Sequence, residues 1–310
     1  MSSKLFSAGA VVVCLFVVGL VGSSASPAAS GPCGTASVSS VHYTHVLWIG
    51  MENHSYDKII GSSSAPYINS LAAACGLASN YHNITHPSLP NYVGATSGLS
   101  LSGLSPFSGD CGPGGSCNTK APSIFGETSS WKAYEETMPK NCYTANSGNY
   151  YVRHDPPPYF TSLSNCSTND VPYTQLASDL SSGKLPAFSF VSPNAVDDMH
   201  NGTVAQGDTW LSKNVPTILN SSAYKTGTLA VFITWDEGTG GTTGANCAAS
   251  TTDNSCHVAT LVISPSTKTG TNSSALFNHY SLFMTTASLL KLSPLGLAAK
   301  ATSMVTAFNL

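Results

Sequence analysis

The run TLAVFITWDEG, residues 228–238, constrains the fold more than any other stretch of this chain. From Leu229 to Trp235 it carries one polar side chain, Thr234, and it ends abruptly in Asp236, Glu237 and Gly238. A short, continuous apolar run of this kind reads as a strand buried on both faces, the type found in parallel sheets covered by helices. HVLWIGM (45–51) has the same design, with Glu52 and Asn53 beyond its end, and AFSFVSP and CHVATLVISP supply further strands. Between them, PYINSLAAAC, SIFGETSSWKAYEETM, PYTQLASDLSSGKLP, GDTWLSKNVPTILN and NHYSLFMTTASLLKL read as helices. This alternation predicts an α/β fold, a three-layer sandwich around a mostly parallel central sheet. In such folds ligands bind outside the carboxyl ends of the strands.

The N-terminus places Lys4 ahead of an apolar run from Ala8 to Leu20 and small residues from Ser23 to Ala29, the pattern of a secretory signal peptide over residues 1–29. A single domain is expected over about residues 40–292, followed by a peripheral tail over 293–310, with no later segment apolar enough to span a bilayer. Of nine cysteines, Cys14 lies in the signal segment and eight remain. An even count in a secreted chain suggests four disulfides. Pairing of sequence neighbours is the simplest arrangement: Cys33–Cys75, Cys111–Cys117, Cys142–Cys166 and Cys247–Cys256. Sequons at Asn53, Asn83, Asn165, Asn201, Asn220 and Asn272 are glycan sites in a host that glycosylates. Only 9% of residues are charged and the net charge is −3, so the chain lacks the electrostatic footprint of a nucleic-acid binder.

NITHPSLPNYVGATSG, residues 83–98, wedges Ser88 between two prolines at the expected start of a helix closed by Gly98. Ser88 is then either an N-cap or a nucleophile held where helix N–H groups favour an anion. Glu52, Asn53, Asp236 and Glu237 stand at strand ends and could converge with it. Such an oxygen-rich set suits a hard divalent cation, which would lower the pKa of the Ser88 hydroxyl and neutralise a phosphate. His154 and His200 lie in proline- or glycine-bounded loops beside carboxylates, where a neighbouring negative charge is expected to raise the histidine pKa. A charged histidine there grips a phosphate oxygen or protonates a leaving group.

The segments MENHSYDKIIG, THPSLPNYVGATSG, PNAVDDMHNGTVAQGDTWL, FITWDEG and NHYSLFMTT follow one another in this order. Together they resemble the bacterial phosphoesterase family of secreted acid phosphatases and phospholipases C, within the alkaline phosphatase superfamily. The likeness is strongest to small secreted acid phosphatases, including ones acting on phosphatidylinositol 3-phosphate. The resemblance implies an alkaline-phosphatase-like fold and a phosphoserine on Ser88. It also implies one divalent metal ion on Glu52, Asn53, Ser88, Asp236 and Glu237. His154 and His200 would contact the transferred phosphoryl group, one of them as the acid, with His279 as a further substrate contact. Asp198 and Asp208 would be further ligands or, in the preferred reading, orient His200 and cap the helix starting near Gly207. Several ligands of two-metal alkaline phosphatases have no match here, which favours one metal. The implied substrate is a phosphorylated small molecule or a phosphoinositide. Two alternatives stay open: a phosphodiesterase or phospholipase C on the same site, and a non-catalytic secreted glycoprotein.

Overall fold

The computed structural model describes residues 1–6, 9, 31–249 and 251–310. Most of the expected signal segment, residues 7–8 and 10–29, lies outside them. Gly31–Leu310 form one unit, and the preceding residues a separate one. Among the described residues, no helix is long and apolar enough to cross a membrane.

Among the described residues, nine strands make one sheet: β1 His45–Met51, β2 Gly76–His82, β3 Trp131–Glu135, β4 Asp170–Pro172, β5 Phe188–Ser192, β6 Leu229–Trp235, β7 His257–Ile263, β8 Thr271–Ser273 and β9 Phe277–Asn278. Their order is β4-β3-β5-β1-β6-β7-β2-β8, with β9 also on β2. All neighbours are parallel except β7, which runs antiparallel to both β6 and β2. Two reversals restore direction, so β2 points the same way as β6. The carboxyl ends of β5, β1, β6 and β2 therefore share one edge of the sheet.

β1, β5 and β6 are buried along almost their whole length, as apolar strands between helical layers must be. Val46, Ile49, Phe188, Val231, Phe232 and Ile233 are fully inaccessible and form the centre of the core. All four expected disulfides are present: Cys33–Cys75, Cys111–Cys117, Cys142–Cys166 and Cys247–Cys256.

Two expectations are corrected. SIFGETSSWKAYEETM does not form a helix throughout: it gives one helical turn, Ile124–Glu127, and then β3. Lys132 fits a strand because it reaches Asp179, 2.5 Å away, while Trp131, Ala133 and Tyr134 are buried. Nor is the segment after residue 292 peripheral. Met304 and Phe308 are fully buried, and Phe308 lies 6.2 Å from the Phe277 ring. Gly98, in the left-handed conformation that ends the Ser88–Ser97 helix, has room for no Cβ because the Leu295 carbonyl would lie 2.2 Å from it.

Candidate active site

The site is assembled at that shared edge. β1 and β6 pair in register with Met51 opposite Trp235, and the ladder runs one step further, Asp236 N–H donating to the Met51 carbonyl at 2.9 Å. Glu52 and Asp236 thus emerge side by side. Asn53 then adopts a left-handed backbone (φ 54°), a conformation asparagine tolerates better than most residues, and its N–H donates to Asp236 Oδ1 at 3.1 Å. Its side-chain amide lies 3.0 Å from Glu52 Oε2.

β2 delivers the chain to the same edge, where the Ser88–Ser97 helix begins. Pro87 is the N-cap and Ser88 the first helical residue, and no side chain caps at that position. The Ser88 hydroxyl instead faces two carboxylates, 3.2 Å from Glu52 Oε2 and 3.5 Å from Glu237 Oε1. The N-cap reading of Ser88 is thereby excluded. Of the helix N–H groups expected to meet a phosphate, that of Leu89 already donates to Asp110 Oδ1 at 2.9 Å.

Glu52, Asp236 and Glu237 are all buried. Burial is the main cause raising the pKa of each, with repulsion from neighbouring acids adding to it; Glu237 is raised to about 8. Asp236 Oδ2 is a buried acceptor without a partner. Crowded carboxylates with an orphaned oxygen, a serine hydroxyl and an amide fit a hard divalent cation by donor chemistry.

Across the site the loops after β3 and β5 meet. Asp198 Oδ2 accepts from His154 Nδ1 at 2.9 Å and its Oδ1 from the His200 N–H at 2.7 Å. This fixes the His154 tautomer with the proton on Nδ1. His154 Nε2 lies 3.2 Å from Glu52 Oε1 without hydrogen-bond geometry and is otherwise unpartnered. The expected rise in histidine pKa does not occur: burial, followed by Arg153 and His200, holds His154 well below its ordinary value, and burial also lowers His200. Both imidazoles are neutral near pH 7.

Arg153, absent from the sequence expectations, supplies the fixed positive charge. Its Nη2 donates to His200 Nε2 at 2.8 Å, and its guanidinium lies 4.4 Å from the Tyr151 ring centre and 3.9 Å from Asp110 Oδ2. Glu52, His154 and His200 can each bring one donor atom within 4.8 Å of the others. A guanidinium on the His200 nitrogen makes that face suited to an anion rather than a cation.

His279 sits behind the site. Its Nε2 donates to the Asp236 carbonyl at 2.7 Å and its Nδ1 faces Tyr81 Oη at 3.1 Å, so neither nitrogen is free for substrate. Burial lowers its pKa to about 4. Asp208 does not cap its own helix, which is Val204–Leu219 and opens on a Thr203–Gln206 capping box. It accepts instead from the Tyr67 and Ile68 N–H groups at the start of the Pro66–Ala74 helix.

Sequence reasoning also missed His86 and Tyr92, although both lie in the motif around Ser88. His86 Nδ1 is 2.7 Å from Glu237 Oε2, and Tyr92 Oη donates to Glu52 Oε1 at 2.5 Å. Asp110, beside the Cys111–Cys117 disulfide, carried no such signal.

Fold and site together define an α/β protein of the alkaline-phosphatase-like type, with an oxygen-rich site at the carboxyl edge of its sheet. The phosphoesterase family model matches residues 62–293, and the chain belongs to that family. Among curated proteins, the phosphatidylinositol-3-phosphatase of Mycobacterium tuberculosis is 34% identical over 203 residues, 64% of each chain. An acid phosphatase of Aspergillus fumigatus is 27% identical over 213 residues, 65% of this chain and 46% of that one. The chain thus spans less than two thirds of either relative. Among solved structures, a Vibrio parahaemolyticus protein of the alkaline phosphatase superfamily shares the fold at TM-score 0.58 and 13% identity, over 86% of this chain and 71% of that one. Murine ectonucleotide pyrophosphatase/phosphodiesterase 5, in an inactive form with AMP, gives 0.54 and 10%, over 81% and 96%.

Proposed function

We propose that this chain is a secreted, metal-dependent acid phosphatase that hydrolyses phosphate monoesters through a phosphoserine on Ser88. The carrying observation is the Ser88 hydroxyl, buried at a helix start and directed at Glu52 and Glu237 instead of at its own backbone. The family membership and the names of the curated relatives support the same reaction class. Four disulfides suit an oxidising compartment and support secretion.

In this reading Ser88 Oγ attacks phosphorus, the ester oxygen leaves, and water later displaces the serine to release phosphate. Glu52, Asn53, Asp236 and Glu237 would hold one divalent cation with the Ser88 oxygen. When bound, such an ion lowers the hydroxyl pKa and screens phosphate charge. Arg153 orients the phosphoryl oxygens. His154, with Nδ1–H anchored on Asp198, offers the Nε2 lone pair to accept a proton and return it to the leaving oxygen. His279 positions Asp236 from behind and does not touch substrate.

The name of the mycobacterial relative makes a phosphoinositide monoester the first lipid substrate to test. A panel of aryl monoesters, diesters and phosphoinositides, run with and without chelator, decides among the readings. Chelator-sensitive turnover of monoesters supports this one; preferential diester cleavage points to a phospholipase-type activity, and no turnover to a non-catalytic protein.

A further inference from the structure

A second group of acids lies under the loop that presents Arg153 and His154. Glu135 ends β3, Asp170 begins β4, and Asp155 follows His154 in the loop joining these strands. All three are buried, at 1%, 0% and 0% exposure. One oxygen from each lies within 4.8 Å of the other two. Each also leaves one oxygen orphaned: Glu135 Oε1, Asp155 Oδ1 and Asp170 Oδ1. Tyr150 Oη donates to Asp155 Oδ2 at 2.6 Å, and the ion pairs among the described residues involve other acids.

Three buried carboxylates without a cation are untenable as three charges. Protons can neutralise them, and burial does push Asp155 up to about 7 and the other two well above their ordinary value. A proton shared between Asp155 and Asp170 pairs an oxygen of each, but it leaves Glu135 Oε1 without a partner. One cation can take an oxygen from all three at once. We propose that Glu135, Asp155 and Asp170 bind a divalent cation of the calcium type that ties the loop carrying Arg153 and His154 to the sheet. Calcium accepts irregular cages of carboxylate and carbonyl oxygens, whereas magnesium demands a near-ideal octahedron. A thiophilic metal finds no thiolate, because Cys142 and Cys166, beside Asp170, are joined in a disulfide. The proposal is independent of the chemistry at Ser88.

The test uses the full disulfide-bonded chain carrying Asp236→Asn, which disables the candidate catalytic cation site. After chelator treatment it is dialysed against calcium chloride at pH 7.5, and bound calcium and Tm are measured. One equivalent of calcium with a Tm rise of several degrees is expected, by the linkage of binding to folding. Adding Glu135→Gln, or separately Asp155→Asn, abolishes both. Should these variants fail to fold, the stoichiometry of the Asp236→Asn protein alone decides. No calcium bound up to millimolar concentration overturns the proposal, as does an unchanged response in folded Glu135→Gln. A calcium-insensitive protein that loses stability as pH rises through 7 would show the cluster to be held by protons.

Discussion

Ser88 Oγ lies 3.2 Å from Glu52 Oε2 across 36 residues of chain, at the meeting of a helix start and a strand end. The helix gains nothing from this hydroxyl as a cap, so its removal should leave the fold intact. Ser88→Ala is expected to lose activity on an aryl phosphate by several orders of magnitude, on the scale of about 10⁶ seen when a nucleophile is removed from a hydrolase. Circular dichroism and Tm should match the parent. Near-parental turnover would reduce Ser88 to a structural residue.

Arg153 is the fixed cation facing the neutral His200 imidazole. Arg153→Ala should lower kcat/KM for monoesters by about 10²-fold, the order of losing a charge-assisted contact that leaves its partners unpaired. Arg153→Lys should recover only part of this, because a point charge does not reproduce the guanidinium fork. Equal kinetics in all three proteins would remove Arg153 from phosphate recognition.

Gly241 leaves space for the His86 ring: a Cβ there would stand 1.9 Å from His86 Nε2. The ring is buried and holds Glu237 at 2.7 Å, so Gly241→Ala must displace a side chain that positions a candidate ligand. A misplacement of about 1 Å can cost 10²-fold in rate, and a fall of that order in kcat with a higher metal concentration for half-activation is expected. Unchanged kcat and metal titration would show that His86 has freedom to move.

His279 gives a pH dependence of stability with a defined sign. In the unfolded chain it takes a proton near its ordinary value of about 6.5, whereas in the folded protein it does so only near 4. Between these values the unfolded state binds more protons, so stability falls as pH drops from about 6.5 towards 4 and is unaffected above that window. The loss should approach ~3 kcal/mol at the acid end. Urea denaturation of the parent and of His279→Gln at pH 4.5 and 7.5 isolates this contribution from the buried acids. Identical pH dependence in the two proteins would contradict it.

The strands that carry the site were legible because burial on both faces leaves an unbroken apolar run, as in Leu229–Trp235, and the polar residues after such a run mark the functional edge. The ligand candidates followed from that rule, and Ser88 from its place between two prolines at a helix start; β2, which leads to Ser88, has no such unbroken apolar run. β3 was not legible: Trp131, Tyr134 and Lys132 have no strict alternation, and Lys132 is accommodated only through Asp179 on a distant helix. Arg153 and Asp110 were missed for a related reason. Their roles exist only where loops meet, because the partners that define them, His200 and Asp110 for Arg153 and Leu89 for Asp110, are distant in sequence. Histidine pKa direction was misjudged because carboxylate neighbours are visible in sequence and burial is not. His279 shows the same limit, since its motif is local but its partners, Tyr81 of β2 and the Asp236 carbonyl just beyond β6, are distant in sequence.

The most direct measurement is an acid quench of the working enzyme with an aryl phosphate, followed by mass spectrometry of its peptides. The account predicts one added phosphate on the peptide containing Ser88, absent after chelator treatment and absent in Ser88→Ala. Steady turnover with no phosphate on that peptide, or phosphate carried on His154 or His200 instead, would contradict it.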